Sequence, residues 1–354
     1  MFDFGMLAAP TGIFRLPGLV LKPGSFWYRG KPACCLEEMI MHCVTWPDQI
    51  SGLENGSCVT IGNFDGVHIG HQRLIARVRD LAAGFALPSV VITFEPHPLR
   101  FFTGKKTPPF ITLYEQRAEL IRALGIDHLL CLEFNQDLAS MSPEDFVRRI
   151  LVEGLRVKEL VIGYDYAFGK GRCGNYALLT QLGEKWGFGV EQLEPVMVDQ
   201  AIVSSTRIRD LVEAGDVWTA KPLLGRFYRV TGTVVHGRNR GGRLLGFPTA
   251  NVHLVDELFP KTGVYCCWAE LDGEIHPAVA NIGYNPTFGN DVLSVEVHIL
   301  DLNMDLYGRT LKVHFVQRLR GERKFSGLDE LKAQIGKDIT LARTILALPE
   351  ARLV

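Results

Sequence analysis

Apolar runs and helical periods alternate along the first 220 or so residues of the chain. Short β-branched runs at Val59–Ile61 and Ser89–Phe94 predict buried strands. Asp127–Phe134 and Glu159–Gly163 continue the series of strands. The apolar positions with helical spacing that follow the first strand are Leu74, Ile75, Val78 and Leu81. Strands separated by helices predict βαβ units and a parallel sheet.

Polar residues mark the starts of several predicted helices in this region. Thr112 and Glu115 have the spacing of a capping box, which predicts a helix that begins at Thr112. Ser142 precedes Pro143, a combination of cap residue and first-turn proline. A third helix is predicted within Val203–Val212, where hydroxyl side chains precede the apolar positions.

Short alternating strands replace this pattern in the last third of the chain. The predicted strands are Tyr228–Val235, Gly263–Leu271, His276–Ile282, Ser294–Leu300 and Thr310–Phe315. Asp272 and Gly273 are typical of a hairpin turn. Closely spaced strands of this kind predict an antiparallel barrel or sandwich, and a helix over Gly327–Leu346 follows it. Lys221–Arg226 interrupts the helical pattern, so we place a domain boundary near Leu224.

The chain therefore divides into three predicted segments, 1–40, 41–223 and 224–354. Residues 1–40 contain scattered Pro and Gly without a sustained period, which indicates a poorly ordered extension. Met41 directly precedes a candidate first strand at His42–Thr45 and is a candidate start of the folded protein.

Composition limits the function classes. A chain of 354 residues with 47% hydrophobic content can form two cores, and a net charge of −1 argues weakly against a nucleic-acid binder. Eight cysteines without any Cys-x-x-Cys pair are typical of a reduced, cytoplasmic protein. No apolar run is long enough to span a membrane, and the N-terminus lacks the pattern of a secretion signal. We expect a monomer or weak oligomer.

The first candidate chemistry lies between the strand at Val59–Ile61 and the helix after it. Gly62 and Gly66 punctuate a tight loop, and His68 and His71 are three residues apart at the helix start. Free backbone N–H groups and the positive end of a helix dipole favour a phosphate there. Two imidazoles can donate hydrogen bonds to that phosphate as charge develops on it. The alternative is a capping residue or part of a zinc site.

The order Gly-Asn-Phe-Asp-Gly-Val-His-x-Gly-His at residues 62–71 resembles the FMN adenylyltransferase module of bacterial bifunctional riboflavin kinase/FAD synthetases. These belong to the nucleotidylyltransferase superfamily, and the resemblance runs from about residue 41 to the C-terminus. It implies an α/β, Rossmann-like nucleotidylyltransferase domain followed by an antiparallel β-barrel flavokinase domain with a C-terminal helix. It also implies an enzyme that converts riboflavin to FMN with ATP and Mg²⁺. The same enzyme would then convert FMN and ATP to FAD and pyrophosphate.

The resemblance implies catalytic roles for His68 and His71 and two sets of ligand contacts in the first domain. The implied ATP contacts are Gly62, Asn63, Phe64, Asp65, Gly66, Asp165, Ser205, Thr206 and Arg209. The implied flavin contacts are Pro96, His97, Pro98, Phe102 and Phe168. Without the resemblance, the Pro-His-Pro stretch indicates a rigid turn, and Ser204 indicates a helix cap. Ile202 departs from the family, because many members have Arg there.

A second set of residues lies in the predicted barrel, where Gly-Phe-Pro-Thr-Ala-Asn at residues 246–251 resembles the flavokinase signature. The implied ATP contacts are Gly242, Gly246, Phe247, Pro248 and Thr249. Oxygens of Thr249 and Asn251 suit Mg²⁺. Glu296, on one strand face with His298, is the implied general base for the ribityl hydroxyl. The residues implied to close over riboflavin are Arg320, Glu322, Lys324 and Phe325.

Each of these barrel features has a simpler interpretation from the residues alone. The stretch at residues 246–251 is typical of a Gly-rich turn. Glu296 is typical of a solvent-facing position on a strand, and Arg320–Phe325 is typical of a solvated charged run. Asn285 stands where Arg or Lys is frequent in the family.

Two other functions remain open at this stage. One is a single-activity enzyme with a decayed first domain, suggested by Ile202. The other is a non-enzymatic flavin sensor or RNA-binding barrel. An RNA-binding barrel needs a basic groove with stacking aromatics, and the second domain shows no such strip beyond Arg238–Arg243.

Overall fold

A computed structural model describes residues 41–104, 107–235, 246–254, 258–285 and 292–353. The predicted extension over residues 1–40 and the predicted ATP contact Gly242 lie outside these ranges. Among the helices of the described part, none combines the length and apolar character needed to cross a bilayer.

A six-stranded parallel sheet forms the first half of the described chain. Its strands are β1 (His42–Val44), β2 (Ser57–Ile61), β3 (Ser89–Glu95), β4 (His128–Glu133), β5 (Val157–Gly163) and β6 (Gly189–Leu193). The spatial order is β1-β4-β3-β2-β5-β6, with every pair parallel. The order reverses beside β2, because β3 pairs on one side and β5 on the other. In open α/β sheets a crevice for ligands forms at such a point, outside the carboxyl ends of the strands.

Helices connect these strands. They are α1 (Ile69–Phe85), α2 (Pro98–Thr103), α3 (Tyr114–Ala123), α4 (Gln136–Ser140), α5 (Pro143–Phe146), α6 (Tyr176–Trp186), α7 (Ser205–Ala214) and α8 (Val217–Leu224). A π-helical segment, Val147–Gly154, continues α5, and the short strands β7 (Met197–Val198) and β8 (Ala201–Ile202) form a hairpin. Ser142 accepts a hydrogen bond from the Asp145 N–H, which confirms its predicted cap role.

The second half is a closed six-stranded barrel. Its strands are β9 (Tyr228–Val235), β10 (Ala250–His253), β11 (Gly263–Leu271), β12 (Glu274–Asn285), β13 (Val292–Ile299) and β14 (Thr310–Arg320). The order around the barrel is β10-β13-β12-β11-β14-β9, and all neighbours are antiparallel. Helix α9 (Leu328–Leu346) follows. Alternation directs Val230, Val297 and Phe315 into the barrel core, where each is at most 1% exposed.

This architecture confirms the predicted fold class, with several local differences, three of which bear on the candidate sites or the boundary. The pattern missed β10, because four residues after a Gly- and Pro-rich turn are too few for a periodic signal. Pro222 does not end the preceding helix but lies inside the last turn of α8. Helix α3 begins after Leu113, so the predicted capping box at Thr112 is wrong. The Thr112 hydroxyl instead accepts a hydrogen bond from the Gly66 N–H at 2.9 Å, so this side chain supports the loop after β2.

The sheet and the barrel belong to one compact unit that extends to Leu353. Ionic contacts cross between them: Glu119 of α3 accepts from Arg229 of β9 at 2.6 Å and from Lys312 of β14 at 2.9 Å. The boundary near Leu224 therefore stays a prediction about sequence modules, since contacts join the two halves.

Candidate active sites

The loop between β2 and α1 has an unusual backbone that turns its side chains inward. Phe64, Gly66 and Val67 have φ values of 52°, 84° and 38°, in the left-handed region. This region is costly for a β-branched residue such as Val67, so surrounding contacts must hold it. Phe64 is 1% exposed and packs in the core. The loop thus approaches the helix start in one defined shape.

His68 and His71 form a stacked pair at the first turn of α1. His68 is the N-cap, and its Nδ1 accepts a hydrogen bond from the His71 N–H at 3.3 Å. The ring centroids are 3.6 Å apart with an interplanar angle of 18°, and Phe64 contacts His71 edge-on at 5.2 Å. The structure therefore brings together the two residues predicted to act on a phosphate, at the carboxyl end of β2.

Both imidazoles are neutral at pH 7. Burial, and next the charge of Arg226, lowers the pKa of His68 to about 4. The pKa of His71 lies well below its usual value because of burial, followed by the nearby His68, Arg117 and Arg226. Nδ1 of His71 is buried and has no hydrogen-bond partner within the described ranges. A neutral imidazole still has one N–H that can donate to an anion.

Asp65 and Arg209, both predicted to contact ATP, form an ion pair with each other. The Asp65 carboxylate is 4% exposed and lies 2.9 Å from Nη2 of Arg209. Its oxygens also accept from the backbone N–H groups of Ile111 and Thr112 at 3.3 and 3.0 Å. Ser205 donates to the Asp65 carbonyl at 2.9 Å. These contacts give Asp65 a role in fixing the loop, which the sequence pattern did not reveal.

The remaining predicted ATP contacts lie at the same edge of the sheet, and several of them are exposed. Gly62 and Asn63 follow β2, and the Asn63 carbonyl accepts from the buried Arg117 at 3.2 Å. Asp165 is exposed after β5, and Thr206 is exposed in the first turn of α7. The cap of α7 is Ser204, which is not one of the predicted ATP contacts. Its hydroxyl oxygen accepts a hydrogen bond from the Arg207 N–H.

The predicted flavin contacts divide into accessible and buried residues. Pro96 follows a cis peptide bond, and His97 caps α2, which begins at Pro98. Burial lowers the pKa of His97 to about 4. Phe102 is 66% exposed, whereas Phe168 is only 8% exposed.

An aromatic cluster surrounds the exposed Phe102. Its ring lies 5.3 Å from Phe101 and 5.8 Å from Phe134, measured between centroids. The sequence pattern does not indicate a role for Phe134, because this residue follows β4 and meets α2 only in the folded chain. Phe168 packs instead against Phe146 and Tyr166, at 5.8 and 5.6 Å, so little of its ring is left to touch a flavin.

In the barrel, strand register places Glu296 between two asparagines. Glu296 of β13 pairs with Asn251 of β10 on one side and with Asn281 of β12 on the other. Residues in register on adjacent antiparallel strands project to the same face, so Glu296 and Asn251 are neighbours. Asn251 is 7% exposed, and its Oδ1 makes no hydrogen bond to any described residue. Nδ1 of His298 lies 2.8 Å from the carbonyl oxygen of Pro248.

A cavity of about 440 Å³ opens beside this strand pair. Its lining includes Pro248, Thr249 and Asn251 and the loop 302–307. Phe247 contacts His298 edge-on at 5.6 Å, and Gly246 adopts a φ of 82° at the start of the turn. The loop 302–307 carries no motif, so nothing in the sequence pattern indicates that it lines a cavity.

The charged segment that begins at the last residue of β14 contacts α9. Arg320 forms a bidentate ion pair with the buried Asp338, at 2.8–3.1 Å. Its guanidinium also lies 5.7 Å from the ring centre of Phe325. Glu322 is exposed and lies against Gly283, where a Cβ atom would come within 2.7 Å of its Oε1. Lys324 is exposed.

Comparisons with known proteins agree with this arrangement. Residues 51–207 match the family model described as FAD synthetase, and residues 224–346 match that described as riboflavin kinase. A bifunctional riboflavin kinase/FMN adenylyltransferase of Pseudomonas fluorescens is 46% identical over 296 residues, which cover 83% of this chain and 94% of that protein. The protein of this name from Escherichia coli K12 is 39% identical over the same length and coverage.

The fold is also found among solved structures. A crystal structure from Streptococcus pneumoniae, described as a macrolide-efflux protein, aligns with a TM-score of 0.77 and 31% identity. The alignment covers 86% of this chain and 99% of that one. From the two family models and the near-complete coverage of curated relatives, the chain belongs to the bifunctional riboflavin kinase/FMN adenylyltransferase family.

Proposed function

We propose that this protein makes FMN from riboflavin and ATP at the barrel, and FAD from FMN and ATP at the crevice beside β2. The observation that carries the proposal is that one chain contains two separate groups of polar side chains, each in the stretch that matches one enzyme family. The stacked His68–His71 pair lies in the stretch matching FAD synthetases, and the paired Asn251 and Glu296 lie in the stretch matching riboflavin kinases.

In the adenylyl transfer, a phosphate oxygen of FMN attacks the α-phosphorus of ATP. A new P–O bond forms, the bond between the α-phosphorus and the bridging oxygen breaks, and pyrophosphate leaves. Negative charge grows on the α-phosphate oxygens, and the N–H groups of His68 and His71 with the N-terminus of α1 would stabilise it. ATP would occupy the edge formed by residues 62–66, Asp165, Ser205 and Thr206, with Asp65 and Arg209 supporting the loop. The flavin would contact Pro96–Pro98 and Phe102.

In the kinase reaction, the 5′-hydroxyl oxygen of riboflavin attacks the γ-phosphorus of ATP, and ADP leaves. Glu296 would accept the hydroxyl proton, as a positioned carboxylate can. ATP would occupy the 440 Å³ cavity beside Thr249, with phosphates over the Gly246–Pro248 turn. Arg320, Glu322, Lys324 and Phe325 would enclose the flavin.

The residues around Asn251 fit Mg²⁺. Its Oδ1 is buried and has no hydrogen-bond partner among the described residues. Asn251 and Thr249 both line the cavity, and both offer the oxygen ligands this ion prefers. Among the described residues no cluster of three His, Cys, Asp or Glu could hold a metal, which agrees with an ion that takes most of its ligands from phosphates and water. When bound, Mg²⁺ would neutralise charge on the transferred phosphate.

Location and assembly belong to the same proposal. The buried, reduced thiols of Cys58 and Cys266, whose pKa values burial raises to about 11 and about 12, support a cytoplasmic protein. We expect a monomer or weak oligomer that binds small molecules and neither nucleic acid nor membrane. A net charge of −1 supports the view that nucleic acid is not a partner.

A crossed assay tests the two sites independently. Purified protein is incubated with Mg²⁺, ATP and either riboflavin or FMN, and the flavins are separated. His68→Ala should lower FAD formation from FMN by roughly 10²–10³-fold, the range for losing one oriented donor, and leave FMN formation unchanged. Glu296→Gln should do the reverse, with a loss of about 10²–10⁴-fold in FMN formation. Equal loss of both activities in either variant would contradict two separate sites.

A further inference from the structure

Arg226 lies between α8 and β9, in the first residues after the predicted boundary, yet it contacts the loop after β2. Its Nη2 donates to the carbonyl oxygen of Gly66 at 2.7 Å, and its Nη1 donates to that of Val67 at 3.3 Å. Nη1 also donates to the carbonyl of Leu224 at 3.1 Å. One guanidinium therefore joins the two residues that precede His68 to the chain segment that leads into the barrel.

The two carbonyls that Arg226 holds belong to the strained part of the loop. Gly66 and Val67 are consecutive residues with φ values of 84° and 38°. Such a backbone persists only where its surroundings enforce it. The planar guanidinium suits this task, because it offers several N–H donors in a fixed geometry.

A second contact seats the same segment on the first turn of α1. Nε2 of Gln72 donates to the carbonyls of Val67 and Leu224, both at 2.9 Å. Gly225 has a φ of 70°, and a Cβ atom there would come within 3.3 Å of the Gln72 amide and of Ile69. Residues 224–226 thus pack directly against the helix that carries His71.

The guanidinium also places a positive charge beside the imidazoles. The charged groups that face His68 and His71 are Arg226, from the segment before β9, and Arg117, from α3. Arg226 contributes, after burial, to lowering the pKa of both imidazoles. Burial lowers the pKa of Arg226 itself to about 10, so it stays charged at pH 7.

We propose that Arg226 is a positioning residue of the adenylyltransferase site, supplied from the start of the riboflavin kinase module. It holds the Gly66–Val67 backbone so that His68 and His71 face the α-phosphate. This inference rests on the proposed roles of His68 and His71. The adenylyltransferase site is therefore incomplete without residues that follow the boundary.

Three substitutions separate shape from charge. Arg226→Lys keeps the positive charge but loses the planar guanidinium with its several N–H donors. Arg226→Gln keeps an N–H donor without the charge, and Arg226→Ala removes both the donors and the charge. Each should lower kcat for FAD formation from supplied FMN, by about 10–100-fold, the cost of a small misplacement of reacting groups. FMN formation by the same molecules should stay within about twofold of wild type, which reports that the chain is folded.

The pH profile gives a readout that a purely structural role would not change. The acid limb of kcat for FAD formation should move to higher pH in Arg226→Gln, because losing a nearby cation eases protonation of the imidazoles. Arg226→Lys should keep the wild-type position of that limb. Arg156→Gln is the matched control, because Arg156 also donates to a backbone carbonyl, that of Glu54, but at the opposite end of the sheet. That variant should keep both activities and the pH profile.

The outcomes distinguish this inference from the proposed function. If His68→Ala lowers FAD formation but all three Arg226 variants stay within twofold of wild type, the positioning role is wrong and the site assignment survives. If His68→Ala has no effect, the assignment of the adenylyltransferase site is wrong, and the positioning role of Arg226, which rests on it, is wrong as well. Parallel loss of both activities in the Arg226 variants would also overturn the inference, since it would show a general role in folding.

Discussion

Single residues at the adenylyltransferase site are shaped by burial as much as by chemistry. His68, His71 and His97 are each held neutral, because burial is the largest effect on the pKa of all three. Neutral imidazoles donate one hydrogen bond without repelling Arg226 and Arg117. The same burial has a thermodynamic cost that depends on pH.

Acid should destabilise the protein through these histidines. The folded-state pKa of His68 and of His97 is about 4, below the ordinary 6.5, so the unfolded chain binds protons that the folded chain excludes. Above pH 6.5 these histidines do not reduce the free energy of unfolding. As the pH falls from 6.5 toward 4 they reduce it, by about 2 kcal/mol per histidine at pH 5.

Urea unfolding at pH 7.5 and pH 5 checks this expectation. The loss of unfolding free energy on acidification should shrink by about 2 kcal/mol in His97→Asn. His253→Asn, at an exposed position of β10, should leave the loss unchanged. An equal acid sensitivity of wild type and His97→Asn would rule out the contribution of His97.

At the scale of elements, strand register makes the kinase site. The sequence pattern predicted Glu296 on a strand and Thr249 and Asn251 on a turn. It did not predict that Asn251 lies on β10 in register with Glu296, since β10 has only four residues. Alternation identifies the faces of a strand, but pairing is decided by contacts distant in sequence.

The register predicts different roles for the two asparagines beside Glu296. Asn251→Ala should raise the Mg²⁺ concentration needed for half-maximal FMN formation, on the order of 10–100-fold, because a metal-binding oxygen is lost. Asn281→Ala, exposed on the other side of Glu296, should leave the Mg²⁺ requirement unchanged. Titration of Mg²⁺ at saturating riboflavin and ATP measures both. An unchanged requirement in Asn251→Ala would remove the metal assignment.

The first site shows what pattern reasoning can and cannot provide. The strand, the glycines and the histidine spacing predicted the phosphate loop, because these signals are local. The contacts of Thr112 and Arg226 with the loop, and of Phe134 with Phe102, are not predicted, since each residue comes from another element and only the fold brings it into place. The ion pair between Asp65 and Arg209 is likewise not predicted by the pattern, and the nucleotide contact of Asp65 stays a prediction.

At the scale of the whole molecule, a chain of ionic contacts joins the sheet to the barrel. Glu119 of α3 meets Arg229 and Lys312, and Lys312 continues to Glu270 at 3.1 Å. Glu270 also lies 3.2 Å from His314, which with Lys312 outweighs burial and lowers the pKa of Glu270 to about 2. We expect these contacts to couple the stability of the two halves.

Breaking this connection should loosen the coupling. Arg229 is 8% exposed, so in Glu119→Gln it loses its charged partner while remaining buried, at a cost of about 1–2 kcal/mol. Calorimetry should show a lower melting temperature and a broader transition as the halves unfold less cooperatively. Glu115→Gln, on the same helix, is the control. A transition as sharp and as high as that of wild type in Glu119→Gln would show that other contacts carry the coupling.

The reach of Arg226 also bears on how the protein is made. Its bond to the Gly66 carbonyl joins residues 160 positions apart, so translation must pass the start of the barrel before the loop receives this support. A nascent chain released at residue 223 would carry both histidines and lack the guanidinium. Splitting the gene between the two enzymatic modules would therefore give a faster or a slower first product according to which product keeps residues 224–226. With both catalytic motifs intact, the position of that cut would change the rate at which the first product makes FAD by about 10–100-fold.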